Sequence, residues 1–98
     1  MSKTVFDLPG NLTISTAEAL HEELEPLLLK DNDIVVNGDN VVRVDTAGLQ
    51  LMLAFKNALA KRNLGFSWKG FSTALFESAQ QIGLTQLLAL DSVKPKQK

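Results

Sequence analysis

The sequence predicts an α/β domain in which a mixed β-sheet of about four to five strands is covered by helices. Segments of strand-type composition alternate with segments of helical periodicity in the order β-β-α-β-α-β-α, and this alternation implies parallel strand pairs joined by right-handed crossovers. The chain has 98 residues, 45% of them hydrophobic and 21% charged, which fits one globular domain with a substantial core. We assign residues 1–90 to the domain and 91–98 to a flexible polar tail.

The strands are predicted from β-branched and aromatic runs bounded by turn residues. They are residues 4–8, 12–14, 34–36, 41–44 and 66–69. Because only Pro9-Gly10-Asn11 separates the first two, we expect these two strands to pair as a hairpin. The continuous apolar run at 34–36 is typical of a strand in the middle of a covered sheet.

The helices are predicted from capping residues and apolar periodicity. Ser15 and Glu18 have the spacing of a capping box, so they are expected to open the first helix. Pro26 removes a backbone donor within that helix and predicts a kink or a break. The second helix is expected to run from the Asp45-Thr46 pair to about Arg62, and a third follows Ser72.

Composition excludes several classes of function. Ten Lys and Arg balance eleven Asp and Glu, for a net charge of −1, which argues against a nucleic-acid-binding protein. The absence of Cys excludes disulfides and thiolate metal sites. The single His21 stands beside Glu22 on a helix flank, and no phosphate-binding loop or nucleophile motif is present. We therefore predict no catalytic residue, no metal and no cofactor.

The apolar runs are also informative about location. None approaches the about 20 residues that a membrane-spanning helix needs. The first residues, MSKTVFDLPG, lack the apolar stretch of a signal peptide. The sequence thus predicts a cytoplasmic protein that does not insert into a membrane.

The segment RVDTAGLQLMLAF joins a strand directly to the second helix, and two interpretations of Asp45-Thr46 stay open. Either residue could simply cap the helix. Alternatively, the pair presents a hydroxyl at a helix start, where free amides and the helix dipole tolerate a phosphate. In that case the small Gly48 would let a partner approach closely.

The stretch VDTAGLQLML resembles the signature turn of the STAS domain, the family of bacterial anti-sigma-factor antagonists and their relatives. Family members carry Asp, then Ser or Thr, a small residue, Gly and Leu at this place. These correspond here to Asp45, Thr46, Ala47, Gly48 and Leu49. The flanking segments DIVVNG, LGFSWKG and IGLTQLL also fall where a STAS domain has its elements, so the resemblance covers nearly the whole chain and implies a single STAS-like domain.

The resemblance implies a non-enzymatic switch. In the antagonists, a serine-kinase anti-sigma factor phosphorylates the hydroxyl residue at the position of Thr46, and phosphorylation breaks the complex between the two proteins. Thr46 would accordingly be the phosphoacceptor, and Asp45 would orient it. The partner-binding residues would be Asp45, Thr46, Ala47, Gly48 and Leu49.

Two further branches of the family share features with this chain. Asn37 stands where many antagonists carry Asp, and Ala47 follows the hydroxyl residue. The turn therefore also resembles the STAS subunit of Mla-type phospholipid ABC transporters, in which the Thr contacts the transporter ATPase. The AGLQLM segment resembles that of STAS adaptors linked to chemotaxis signalling. A ligand-binding groove beside the turn and a purely structural role for Thr46 are the remaining alternatives.

Overall fold

The computed structural model describes residues 3–90 of the chain. Its elements are β1 (Lys3–Asp7), β2 (Asn11–Leu12), α1 (Ile14–Leu24), a 3-10 helix (Glu25–Lys30), β3 (Asp33–Gly38), β4 (Arg43–Val44), α2 (Thr46–Lys61), β5 (Phe66–Phe71) and α3 (Thr73–Gln81). Strands and helices alternate as the sequence predicts, so the α/β class is confirmed. The tail assigned to 91–98 lies outside the described residues.

The five strands form two sheets. A three-stranded sheet has the order β1-β3-β5, and β2 pairs with β4 in a second, two-stranded ladder. Within residues 3–90, all three of these strand pairings are parallel, whereas the sequence led us to expect one mixed sheet. Each parallel partner lies a whole crossover further along the chain, because parallel strands cannot be joined by a tight turn.

The predicted hairpin between the first two strands is wrong. β1 pairs along its full length with β3, and Leu8 N extends this ladder by donating to Asn37 O at 2.9 Å. The second strand has only two residues, so pairing with it would satisfy few backbone groups of β1. Pairing with β3 instead places the half-buried Phe6 beside the buried Val36.

The start of α1 also differs from the prediction, because Ser15 and Glu18 do not form its capping box. Thr13 is the N-cap residue, and its backbone N donates to Thr16 Oγ1 at 3.1 Å. The Thr16 hydroxyl itself donates to Asn11 O at 2.8 Å, which ties the helix start to β2. Several hydroxyl residues follow one another here, so composition alone does not select the cap.

The break at Pro26 is confirmed. The α-helix ends at Leu24, and the chain continues as a 3-10 helix that has Pro26 in its first turn. In the part of the chain that the structure describes, no helix is long and apolar enough to span a membrane.

The core lies between the three-stranded sheet and the helices. It contains buried side chains from every helix, and the described residues include no buried polar side chain. A row of aromatic rings crosses it from α2 to α3, with neighbouring centroids 5.5 to 6.4 Å apart. The row comprises Phe55, Phe66, Trp68, Phe71 and Phe76. Trp68, at its centre, donates its indole N–H to Leu88 O at 2.8 Å.

Candidate functional site

The candidate site lies where β4 passes into α2. Asp45 is the N-cap residue of α2, with an extended backbone, and its Oδ1 accepts a hydrogen bond from Gly48 N at 3.0 Å. Its own backbone N donates to Leu12 O at 3.1 Å. The capping interpretation of Asp45 is therefore confirmed, and it fixes where Thr46 begins the helix.

The same carboxylate also binds the start of the other long helix. Asp45 Oδ2 accepts a hydrogen bond from Ile14 N, the first residue of α1, at 2.9 Å. One carboxylate thus accepts hydrogen bonds from backbone amides at the starts of two helices, where such amides have no partner within their own helix. Sequence reasoning missed this link, because Ile14 stands far from Asp45 along the chain and nothing local marks it.

These hydrogen bonds shift the titration of Asp45. The bond from Ile14 N and then that from Gly48 N hold the pKa of the carboxyl below its ordinary value of 3.8, against a smaller opposing effect of desolvation. Both bonds are made to the ionised form, which they stabilise. Because the pKa is lower in the folded than in the unfolded chain, the stabilisation is complete above about 3.8 and is lost as the pH falls through the folded pKa.

We expect the difference in stability between wild type and Asp45→Asn to narrow on acidification. At neutral pH the wild type should unfold at a higher urea concentration than Asp45→Asn. The asparagine side chain has one oxygen, which can accept from one of the two backbone amides, whereas its NH₂ group would face the N–H of the other. As the pH falls below about 3.8 and then through the lowered pKa of Asp45 in the folded protein, the two midpoints should approach each other. Urea unfolding followed by circular dichroism measures this. A difference that does not change with pH would contradict a role for the carboxylate charge.

Thr46 is exposed and is the first residue of α2. Its hydroxyl makes no hydrogen bond within residues 3–90, so it is available to solvent or to a partner. The neighbouring free amides of the helix start carry partial positive charge, which tolerates an anion at this place. Ala47 is half-buried beside it.

Gly48 and Leu49 are buried, and they pack against the interior of the protein. A Cβ on Gly48 would lie 2.0 Å from Leu12 O and 2.5 Å from Leu12 C. The absent side chain therefore admits the backbone of β2, where the sequence suggested the approach of a partner. Leu49 is 1% exposed and belongs to the core. Of the five residues predicted to bind a partner, Thr46 is the one with an exposed side chain.

Two large apolar side chains that the sequence analysis did not select are exposed at this end of the molecule. Ile14 is 74% exposed beside Asp45, and Val42 is 69% exposed on the chain that leads to it. Arg43, which follows Val42, is exposed as well. We call Ile14, Val42, Arg43 and Thr46 the Thr46 surface. Its apolar members could be recognised only after strand pairing had brought the start of α1 to β4.

The other polar residues considered in the sequence lie elsewhere. Asn37 donates its amide to Asp7 Oδ1 at 3.0 Å and accepts from the backbone N of Asp39 at 3.1 Å, so it bridges β1 and β3. His21 is exposed on α1. Among residues 3–90, no group of His, Asp and Glu is placed to hold a metal ion.

This geometry is that of an α/β domain in which Thr46 exposes its hydroxyl at the start of α2, near the exposed Ile14. The chain belongs to the STAS domain family, because the family model described as "Mlab, STAS domain" matches residues 2–89. STAS domains are in general non-enzymatic regulatory or transporter-associated domains, and they commonly mediate protein–protein contacts. The resemblance of the VDTAGLQLML turn is thereby confirmed.

A solved structure supports the fold. The chain is similar to a sulfate transporter family protein from Wolinella succinogenes, with a TM-score of 0.71 over 88% of this chain and 70% of that chain. The two sequences are 16% identical, so the similarity concerns the fold. No curated protein matches the chain.

Proposed function

We propose that this chain is a non-enzymatic regulatory domain that binds a partner protein through the Thr46 surface, and that phosphorylation of Thr46 controls this binding. The observation that carries the proposal is the exposed Thr46 hydroxyl at the start of α2, with Ile14 exposed beside the adjacent Asp45 and Val42 exposed on the chain that leads to the turn. Exposed aliphatic side chains gain free energy when a partner covers them. A polar group among them must then be matched by that partner or expelled.

A phosphate at Thr46 would act on the complex and leave the fold intact. It adds about −1.5 to −2 charges at neutral pH, which solvent and the partial positive charge of the helix start tolerate in the unbound protein. The adjacent, ionised carboxylate of Asp45 already accepts the hydrogen bonds of two nearby backbone amides, those of Ile14 and Gly48. The added charge would therefore be left without local partners when Ile14 and Val42 are covered, and the complex would dissociate. A serine-kinase anti-sigma factor is a partner of this kind.

The second candidate is the ATPase of a Mla-type phospholipid transporter. The description of the matching family model favours it. The amide at Asn37 agrees with this candidate, since many anti-sigma-factor antagonists have a carboxylate there. In this arrangement Thr46 is a fixed contact that is not modified, and its small hydroxyl is needed for fit.

Affinity capture from the native cell tests the proposal with three forms of the protein: wild type, Thr46→Asp and Thr73→Asp. Thr73 is the matched control, because it is an exposed threonine at the first position of α3. We expect Thr46→Asp to recover at least about tenfold less partner, equivalent to a loss of about 1.4 kcal/mol. Thr73→Asp should recover as much as wild type.

The two candidates are separated by the identity of the recovered protein and by the state of Thr46. A kinase together with phosphate on Thr46, detected by mass spectrometry, supports the regulated switch. A transporter ATPase with unmodified Thr46 supports the second candidate. Equal recovery with Thr46→Asp and wild type would show that this surface is not the binding site. Thermal unfolding should confirm that Thr46→Asp remains folded, since an acidic residue in the first turn stabilises a helix by about 0.3–1 kcal/mol.

A further inference from the structure

A second surface feature lies away from Thr46, between α1 and α2. It is a shallow groove that is open to solvent. We call it the α1–α2 groove, and its lining residues are His21, Leu24, Glu25, Leu28, Leu51, Ala54, Phe55 and Ala58. Six of these eight side chains are apolar. The groove begins about 8 Å along α2 from Thr46, as the helical rise of five residues requires.

The wall contributed by α2 is low because two of its side chains are small. Ala54 is exposed and Ala58 is half-buried, and they stand one helical turn apart. Leu51 continues the same face at half burial, and Phe55, 5% exposed, forms the floor. Small side chains in a row on one helix allow another segment of chain to approach closely. Apolar side chains of that segment would gain free energy when they are buried against the apolar floor.

The wall contributed by α1 and the start of the 3-10 helix is acidic. Glu18 and Glu22 lie in α1, and Glu25 is the first residue of the 3-10 helix. Their i, i+4, i+7 spacing puts them on one side of this helical segment, and all three are exposed. Glu25 itself lines the groove. Within residues 3–90 none of the three carboxylates forms an ion pair. The lining of the apolar groove thus includes one carboxylate without an ion pair, Glu25, and Glu18 and Glu22 follow it on the exposed side of α1.

We propose that the α1–α2 groove binds a basic amphipathic helix of a partner protein. The apolar face of such a helix would pack on Phe55, Ala54 and Ala58, and its Lys or Arg side chains would meet Glu18, Glu22 and Glu25. This arrangement corresponds to the helix-in-groove mode of recognition, in which apolar side chains anchor and flanking charges orient. The site is separate from the Thr46 surface, and the inference does not depend on the function proposed for Thr46.

A designed helix can serve as the probe. The peptide KLLKKLLKKLLKKL carries an apolar face and a basic face, and ELLEELLEELLEEL has the same apolar pattern with the charge reversed. Titration of the isotopically labelled protein with each peptide, followed by amide NMR, measures affinity and location together. We expect the lysine peptide to shift resonances of the groove residues. It should bind at least about tenfold more tightly than the glutamate peptide, with an advantage that falls as salt is added.

Two pairs of variants provide the controls. Ala54→Arg should weaken binding of the lysine peptide about tenfold or more, whereas Ala60→Arg, at another exposed alanine of α2, should leave it unchanged. The double variant Glu22→Lys/Glu25→Lys should also weaken binding about tenfold, whereas Glu77→Lys on α3 should not. Equal binding of the two peptides, shifts located away from the groove, or no effect of Ala54→Arg would each overturn the proposal.

The outcome is independent of the Thr46 experiment. Thr46→Asp should leave the affinity for the lysine peptide unchanged. A groove that fails to bind the peptide would say nothing against the capture result at Thr46, and loss of the Thr46 partner would say nothing against the groove.

Discussion

Replacing Gly48 by alanine is expected to destabilise the protein by about 3 kcal/mol, the upper end of the usual cost of overpacking. The added Cβ would lie 2.0 Å from the carbonyl oxygen of Leu12. That backbone cannot easily move, because Leu12 O accepts a hydrogen bond from Asp45 N and the Leu12 side chain is fully buried. To relieve the contact, α2 would have to move away from β2. The bond from Asp45 to Ile14 would then be strained as well.

Urea unfolding followed by circular dichroism measures the loss. Gly10→Ala is the matched control, because a Cβ there would meet its nearest atom at 3.7 Å, an ordinary van der Waals distance. We expect the control to remain within about 0.5 kcal/mol of wild type. If Gly48→Ala were as stable as Gly10→Ala, the close packing of α2 on β2 would be wrong. If Gly48→Ala also lost partner binding, the loss would be explained by this packing defect and would not show that Gly48 contacts the partner.

Removal of the Trp68 side chain is expected to cost about 3–5 kcal/mol. The indole is 7% exposed and stands between Phe66 and Phe71, at centroid distances of 5.5 and 6.0 Å. Its indole N–H also donates the hydrogen bond to Leu88 O that links the turns after α3 to the sheet. Trp68→Ala therefore leaves a cavity in the aromatic row and an unpaired carbonyl at Leu88.

Two comparisons separate these effects. Trp68→Phe keeps a ring in the row and loses only the indole donor, so we expect a smaller loss of about 1–3 kcal/mol. Val5→Ala, at a 55% exposed position of the same sheet, should cost less than about 0.5 kcal/mol. Because Trp68 is the only tryptophan, unfolding must be followed by circular dichroism. Equal stability of the alanine and phenylalanine variants would contradict a packing role for the ring.

Features that depend on a few neighbouring residues could be predicted from the sequence. Pro26 ends α1 because a proline lacks the donor that the helix needs, and this is visible in one residue. Asp45 caps α2 by reaching Gly48, three residues on. The choice among the threonines and the serine before α1 escaped prediction, because Thr13 is selected by the contact of Thr16 with Asn11 in β2.

Features that depend on strand pairing could not be predicted. The sequence presents β1 and β2 as neighbours, but β2 has only two residues, whereas β3 pairs with all five residues of β1. The same holds for the candidate site. Thr46 was predicted from the turn in which it stands, but the contact of Asp45 with Ile14 and the exposure of Val42 arise from segments brought together by the β2–β4 ladder. Hydrophobicity alone does not distinguish an exposed Ile14 from a buried Leu12.

The all-parallel pairing of the described strands also governs the order in which the chain can assemble as it leaves the ribosome. Lys3 pairs with Asp33, Asn11 with Arg43, and Ile34 with Phe66. β1 therefore has no partner until the crossover through α1 and then β3 have been synthesised, and β3 has no second partner until β5 follows. With such non-local pairing, the conformational entropy of the intervening loop is lost before the strand contacts contribute any stabilisation, and this slows folding. The backbone groups of β1 that later pair with β3 are therefore unpaired until β3 has been synthesised, although α1 and the 3-10 helix can already form.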